Sequence, residues 1–319
     1  MRIAAVMVNW NQWQLTRQCL DSLLASSEVP AWTIVVDNGS RGDGSSEMEG
    51  CTQAVVLRNE RNCGFAAAAN RGIEHALSLG ADAVLLVNND ATVAPSCVAE
   101  LSAALARDDV LAGVGAKVLT QEQPPRIHAA YGILTYHGWL VQQQGWLEPD
   151  IARFNEFTYV DYISGCAMLL RGAALQRVGL LDADFFAYHE DLDWCIRARR
   201  AGYRVAYVPG AVVYHRMHAS TGGGGYQSPI NYLSARNSVL FVRKNARWHQ
   251  QLKFAFYLSG HLLKESIRSY RSGQLDGFRL RVRGLRDGLL RRPVPVRELG
   301  LDGDLHREAA AGEVPSVNA

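Results

Sequence analysis

The first 118 residues alternate short apolar runs with amphipathic stretches, and nothing else in the chain constrains the fold as strongly. Residues 3–8 are apolar throughout, as a strand covered on both faces requires. Leu15, Cys19, Leu20, Leu23 and Leu24 then recur at helical spacing. Residues 32–36 and 54–57 read as a second and a third strand. An Ala-rich helix over 66–79 stops at Gly80, and Ala83–Val87 reads as a fourth strand. Pro95 opens a further helix that runs to about residue 106. This alternation predicts an α/β fold built on a doubly wound, mostly parallel sheet.

The second half is more mixed. Residues 127–141, rich in aromatics and Gly, predict a hairpin, and 166–170 a buried strand. Glu190–Arg200 reads as a helix stopped by Ala201-Gly202, and 204–208 and 211–214 as strands split by Pro209-Gly210. The pattern is helical from 231 to about 290, and from Pro293 on it predicts a mobile tail. The expected organisation is two halves of one domain, 1–118 and 119–230, then a helical extension, 231–292, and the tail, 293–319.

With 48% hydrophobic residues in 319, the chain can bury a large core, and a formal charge of +2 argues against binding polyanions through bulk charge. The six cysteines show no CxxC spacing, which speaks against a zinc knuckle, and reduced thiols in the cytoplasm are expected. The N-terminal residues lack the pattern of a signal peptide, and no apolar run is long enough to predict a spanning helix.

Ligands of open α/β sheets collect at the carboxyl ends of the strands. Three strand ends carry Asn9-Trp10-Asn11, Asp37-Asn38-Gly39-Ser40 and Asn88-Asn89-Asp90, and the loop at 58–65 joins them on one rim. Two amides and a carboxylate are costly to bury unpaired. Any one cluster alone reads more readily as a turn or cap, but four on one rim point to a ligand. Asp37 can accept hydrogen bonds from a base or ribose, and Asn62-Cys63-Gly64 permits close backbone approach. Asp90 offers a hard oxygen ligand to Mg²⁺ or Mn²⁺ on substrate phosphates.

VVDNGS (35–40), NCGFAAAANRGI (62–73) and LLVNND (85–90) resemble family 2 glycosyltransferases of the GT-A, Rossmann-like fold, in particular the rhamnosyltransferase-like branch. SGCAM (164–168), FFAYHEDLDWCIRARRAGYRV (185–205) and VVYHRMHAS (212–220) extend the likeness over about residues 1–245. The resemblance implies a nucleotide-sugar-binding first half and an acceptor-binding, catalytic second half. It implies donor contacts from Asn9, Asn11, Asp37, Asn38, Ser40, Asn62, Gly64, Phe65, Asn70 and Asn89. Asn88 stands at the first acidic position of the family's Asp-X-Asp motif, which leaves Asp90 as the charged metal ligand. His215 lies 24 residues after Asp191 (215 − 191), the spacing of the family's second metal ligand, and is preferred to His218.

An inverting transfer needs one base, a cation for the leaving diphosphate and in-line positioning. Asp191 is assigned as base and Glu190 as an acceptor contact, with Asp193 a further carboxylate; the plain alternative is an acidic first helical turn. Arg236 is read either as a diphosphate contact or as a surface arginine. The glycine run at 222–225 is either a lid or a connector. The expected donor is dTDP-rhamnose or a UDP-hexose, with a glycan or lipid-linked acceptor in surface-polysaccharide assembly. A sugar nucleotidyltransferase is the main alternative, weakened by the missing glycines after the first strand; a transferase acting on a small molecule or protein is another. A binding module and a nicotinamide oxidoreductase fit less well.

The segment 236–292 holds fourteen Lys or Arg against three acids. Leu275, Phe278, Val282, Leu285 and Leu289 form an apolar stripe, and Trp248, Phe254, Phe256 and Tyr257 add aromatics. This combination predicts peripheral contact with the inner face of the cytoplasmic membrane, or else a packed or homodimeric interface.

Overall fold

The computed structural model describes residues 1–42, 44, 46–137, 140–216, 228–273 and 275–302. His218, the glycine run at 222–225 and the tail from 303 onward lie outside these.

The N-terminal half is the predicted alternation. It runs β1 (Ile3–Asn9), α1 (Trp13–Leu24), β2 (Trp32–Asp37), β3 (Ala54–Arg58), α2 (Phe65–Ser78) and β4 (Ala83–Val87). A short β5 (Ala91–Val93), α3 (Cys97–Ala106) and β6 (Leu111–Thr120) follow. β3, β2, β1 and β4 are parallel neighbours. Alternation along β1 explains the two-sided burial: Ala4 and Val6 pack with Ile73 of α2, while Ala5 and Met7 pack with Leu20 of α1 and Leu101 of α3.

The hairpin predicted at 127–141 exists. β7 (Ile127–Ala129) joins β6, and β8 (Tyr131–Leu134) pairs with β9 (Val141–Gln144). Then come β10 (Thr158–Val160), β11 (Ala167–Arg171), α4 (Gly172–Val178), α5 (Glu190–Arg200) and β12 (Arg204–His215). β11 inserts antiparallel between β4 and β6, and β12 runs parallel to β6. The expected break at Pro209-Gly210 is a register shift between Val208 and Val212 inside one strand, because a proline without an N–H is tolerated at a bulge.

The helical extension comprises α6 (Pro229–Asn245), α7 (Trp248–Ser272) and α8 (Leu275–Leu289). Two expectations are corrected here: the packed alternative for the α8 stripe and the start of the tail. The stripe is not the face that α8 buries. Gly277, Gly284, Asp287 and Gly288 are buried, Tyr232 of α6 donates to Asp287 Oδ2 at 3.0 Å, and Leu275, Val282 and Leu289 stay exposed. Small residues win because they let α8 approach the backbone of α6, where Cβ atoms on Gly284 and Gly288 would meet Tyr232 O and Arg236 O. The tail does not begin at 293 either: Val294, Val296, Leu299 and Leu301 pack with Tyr232 and Leu233.

Candidate active site

A cavity of about 460 Å³ opens at the carboxyl ends of β1 and β4. Of the residues singled out from sequence, it gathers Asn38, Asn62, Phe65, Asn89, Glu190, Asp191 and His215.

Sheet register explains the first pairing. β5 runs antiparallel to β12 with Ala91 opposite His215, which sets Asp90 beside His215. Arg216 N donates to Asp90 O at 3.0 Å and closes the ladder. His215 Nε2 lies 3.0 Å from Asp90 Oδ1, and this buried nitrogen makes no hydrogen bond. An imidazole nitrogen and a hard carboxylate oxygen at that spacing fit a divalent cation. Among the described residues no cluster of three His, Cys, Asp or Glu forms, so the remaining ligands would come from substrate or water.

His128, on β7, was not singled out from sequence. Its ring stacks on His215 with centroids 4.8 Å apart, and the two Nδ1 atoms are 2.9 Å apart. One ring must donate across that contact. Donation from His215 Nδ1 leaves its Nε2 lone pair facing Asp90, as a metal ligand requires.

The opposite wall is the start of α5. Asp191 Oδ2 accepts from Tyr162 OH and Gly165 N, each at 2.8 Å, and Oδ1 accepts from Leu192 N. Residue 165 is Gly because a Cβ there would lie 3.0 Å from Asp191 Oδ2. Burial raises the pKa of Asp191, and these three donors oppose the rise. Glu190 is less well supplied: its Oε2 is buried without a partner, and burial together with the Asp191 charge pushes it well above the carboxylate range against one backbone hydrogen bond. Of the pair, Asp191 has the surroundings that favour the charged form and Glu190 those that favour the neutral one. Burial and Asp191 raise Tyr162 well above a normal phenol, so it remains a donor. Burial lowers His189 to about 4, which keeps it neutral. Asp193, the third carboxylate, is buried and committed to Arg197 (2.7 Å) and Asn245 (2.7 Å).

The loop before α5 is strained. Phe186, Tyr188 and His189 all have left-handed backbones, on the order of 1 kcal/mol or more each. Asn237 holds it: its buried amide nitrogen donates to the carbonyls of Phe185, Ala187 and Tyr188 at 2.7–2.8 Å. Arg236 is a correction. Its buried guanidinium donates to Asp184 O, Arg292 O and Asn237 Oδ1, so it braces this loop and is not free to bind diphosphate. Gly64, at φ +88°, lets the 62–65 loop meet the strained loop, and Ala66 N donates to Phe186 O.

The remaining predicted residues knit the rim. Asn9 bonds Asp37 and Ser40, Ser40 Oγ accepts from Asn11 N, and Asp37 also pairs with Arg58 at 3.4 Å. Asn38 joins Asn62, and Asn89 donates to Thr16 Oγ1. Asn70 is turned away, exchanging two hydrogen bonds with the backbone of Leu181.

Residues 1–250 match the family described as Glycosyltransferase like family 2. The chain belongs to that family. It is a family 2 glycosyltransferase. It is 26% identical over 306 residues to the N-acetylglucosaminyl-diphospho-decaprenol L-rhamnosyltransferase of Mycobacterium tuberculosis, covering 86% of this chain and 96% of that one. It is 22% identical over 250 residues to the dTDP-rhamnosyl transferase RfbF of Shigella flexneri, covering 76% and 80%. Among solved structures, the mannosyltransferase PcManGT from Pyrobaculum calidifontis, in complex with GDP-Man and Mn²⁺, superposes with a TM-score of 0.58 at 15% identity, covering 90% of this chain and 87% of that one. That likeness supports the GT-A fold predicted from sequence.

Proposed function

We propose that this transferase moves a sugar, with inversion at the anomeric carbon, from a nucleotide diphosphate sugar to a glycan or lipid-linked glycan in surface-polysaccharide assembly. dTDP-rhamnose is the favoured donor and a UDP-hexose the next, because two relatives carry rhamnosyl transfer in their names, one from a dTDP sugar and one to a diphospho-decaprenol-linked sugar. We place the enzyme at the cytoplasmic face of the membrane, where such an acceptor is reached.

The observation that carries the reading is one carboxylate, Asp191, held by three donors and facing a cavity whose other wall holds His215, with Asp90 3.0 Å beside it. Asp191 takes the proton from the acceptor hydroxyl as the new bond forms. Tyr162 and Gly165 N fix the carboxylate in place, and protonated Glu190 can donate to an acceptor oxygen. Neutral His189 adds no charge that would compete for the carboxylate. Asp90 and His215 would hold Mn²⁺ or Mg²⁺, which supplies positive charge against the departing diphosphate.

The test is product analysis. Incubation with dTDP-rhamnose, UDP-hexoses and a polyprenyl-diphosphate sugar, followed by NMR of the product, should show an inverted anomer. Asp191→Asn should keep donor binding and lower turnover about a hundredfold or more. Retention at the anomeric carbon refutes the single-base mechanism.

A further inference from the structure

Helix α7 carries an apolar face that no described residue covers. At about 100° per residue, Trp248, Leu252, Phe256, Leu263, Ile267 and Tyr270 fall within an arc of roughly 100°. Trp248, Phe256, Leu263 and Tyr270 are 73%, 75%, 65% and 77% exposed, values expected of polar surface rather than of four large apolar side chains in a row. The face that packs is the opposite one, where Phe254 is buried, Leu258 meets the core and Glu265 pairs with Arg281 of α8 at 2.9 Å. A continuous exposed apolar stripe of this length marks an interaction surface.

We propose that this stripe is a docking face for an anionic lipid bilayer, with α7 lying in the plane of the interface. Charge decides the occupant. Lys253, Lys264 and Arg271 fall beside one edge of the stripe on the same helical wheel. They belong to a segment with fourteen Lys or Arg against three acids. A second copy of this face would bring these cations together, whereas anionic headgroups neutralise them, each basic residue adding about 1 kcal/mol near such a surface. Trp and Tyr at the two ends of the stripe suit the boundary between headgroups and acyl chains. No described helix is long and apolar enough to cross a membrane, so the contact is peripheral. Away from the stripe, the flank of α7 meets the site hairpin: the ring of His137, beyond β8, lies 4.4 Å from Tyr257, and Val141 and Gln143 of the same hairpin line the cavity.

The inference rests on a lipid-linked acceptor only for its purpose, so the test omits the acceptor. The full chain is floated with vesicles of phosphatidylglycerol and phosphatidylcholine, and with phosphatidylcholine alone, at low and high salt. It should bind the anionic vesicles, and binding should fall at least tenfold in high salt. The exposed triple variant Trp248→Ser, Phe256→Ser, Leu263→Ser, and separately Lys253→Glu, Lys264→Glu, Arg271→Glu, should each lose binding at least tenfold with unchanged Tm and nucleotide binding. An intact protein that ignores anionic vesicles at low salt overturns the proposal. So does an apolar-stripe variant that turns a dimer into a monomer by analytical ultracentrifugation. A protein that binds vesicles but fails to glycosylate a polyprenyl-linked sugar leaves the docking face standing and refutes the acceptor reading.

Discussion

Replacing Tyr162 with Phe removes one donor from Asp191 and almost no volume. The deleted bond is a hydroxyl on a carboxylate at 2.8 Å, inside the cavity wall, next to a second donor from Gly165 N. A hydrogen bond to a charged group contributes about 1.5–3 kcal/mol. At 1.36 kcal/mol per unit, its loss should raise the pKa of Asp191 by about 1 to 2 units. The sign follows from the role. A general base works ionised, so kcat/KM falls as pH drops through its pKa, and a higher pKa moves that acid limb upward. Tyr162→Phe should therefore lose activity on the acid side of the profile while approaching wild-type rates at higher pH, with donor KM unchanged. The assay is a pH profile of kcat/KM for wild type and variant under identical donor and metal. An acid limb that stays put, or a uniform loss at every pH, refutes Asp191 as the base held by Tyr162.

Asp90→Ala should abolish metal-dependent nucleotide binding, read by calorimetry, while the circular dichroism spectrum and Tm stay close to wild type; full transfer in excess chelator would contradict this. His128→Phe should weaken Mn²⁺ binding to the nucleotide complex about 10- to 100-fold, read by electron paramagnetic resonance, because it removes the acceptor that orients His215. His128→Gln, whose carbonyl can take the same hydrogen bond, should recover part of it, and equal binding in all three proteins refutes the role. Asn237→Ala leaves three carbonyls of a strained loop without their donor, so denaturant unfolding should show a loss of about 2–4 kcal/mol with turnover reduced at unchanged metal affinity.

Much of the fold can be read directly from the sequence because parallel strands buried on both faces are continuous apolar runs. Ala83–Val87 and Glu190–Arg200 coincide with β4 and α5, since one is bounded by polar residues and the other by an acidic turn and a glycine. Pairings set by register cannot be read this way. Asp90 and His215 are 125 residues apart (215 − 90), and they meet only because β5 turns back onto β12. His128 reaches the same spot through β7 on β6, a pairing two residues long with a register shift, which leaves no periodic signal. Arg236 fails for a different reason. A guanidinium serves a phosphate or three carbonyls equally well, and only the path of 184–188 and 292 across α6 decides between them.

The C-terminal extension bears on the site more directly than its position after the matched family region suggests. Arg236 joins Asp184 O to Arg292 O, so the brace on the strained loop includes a residue beyond α8. Asn62 Nδ2 donates to Leu301 O at 2.8 Å, and Leu301 itself lines the cavity beside Trp10 and Phe186. Part of the cavity lining, Leu301, thus comes from chain that follows residue 250, where the family match ends. Truncating the chain before α7 to test membrane contact would remove Leu301 and the Arg292 brace along with the apolar face. Loss of vesicle binding and loss of catalysis would then be inseparable. Point substitutions on the outer face of α7 separate them, because Phe254, Leu258 and Glu265 hold the helix from its other side. The same geometry gives α7 two independent faces: an inner one that ties the extension to α8 and the catalytic domain, and an outer one free to take a surface without disturbing Asn237, Asp191 or the loop between them.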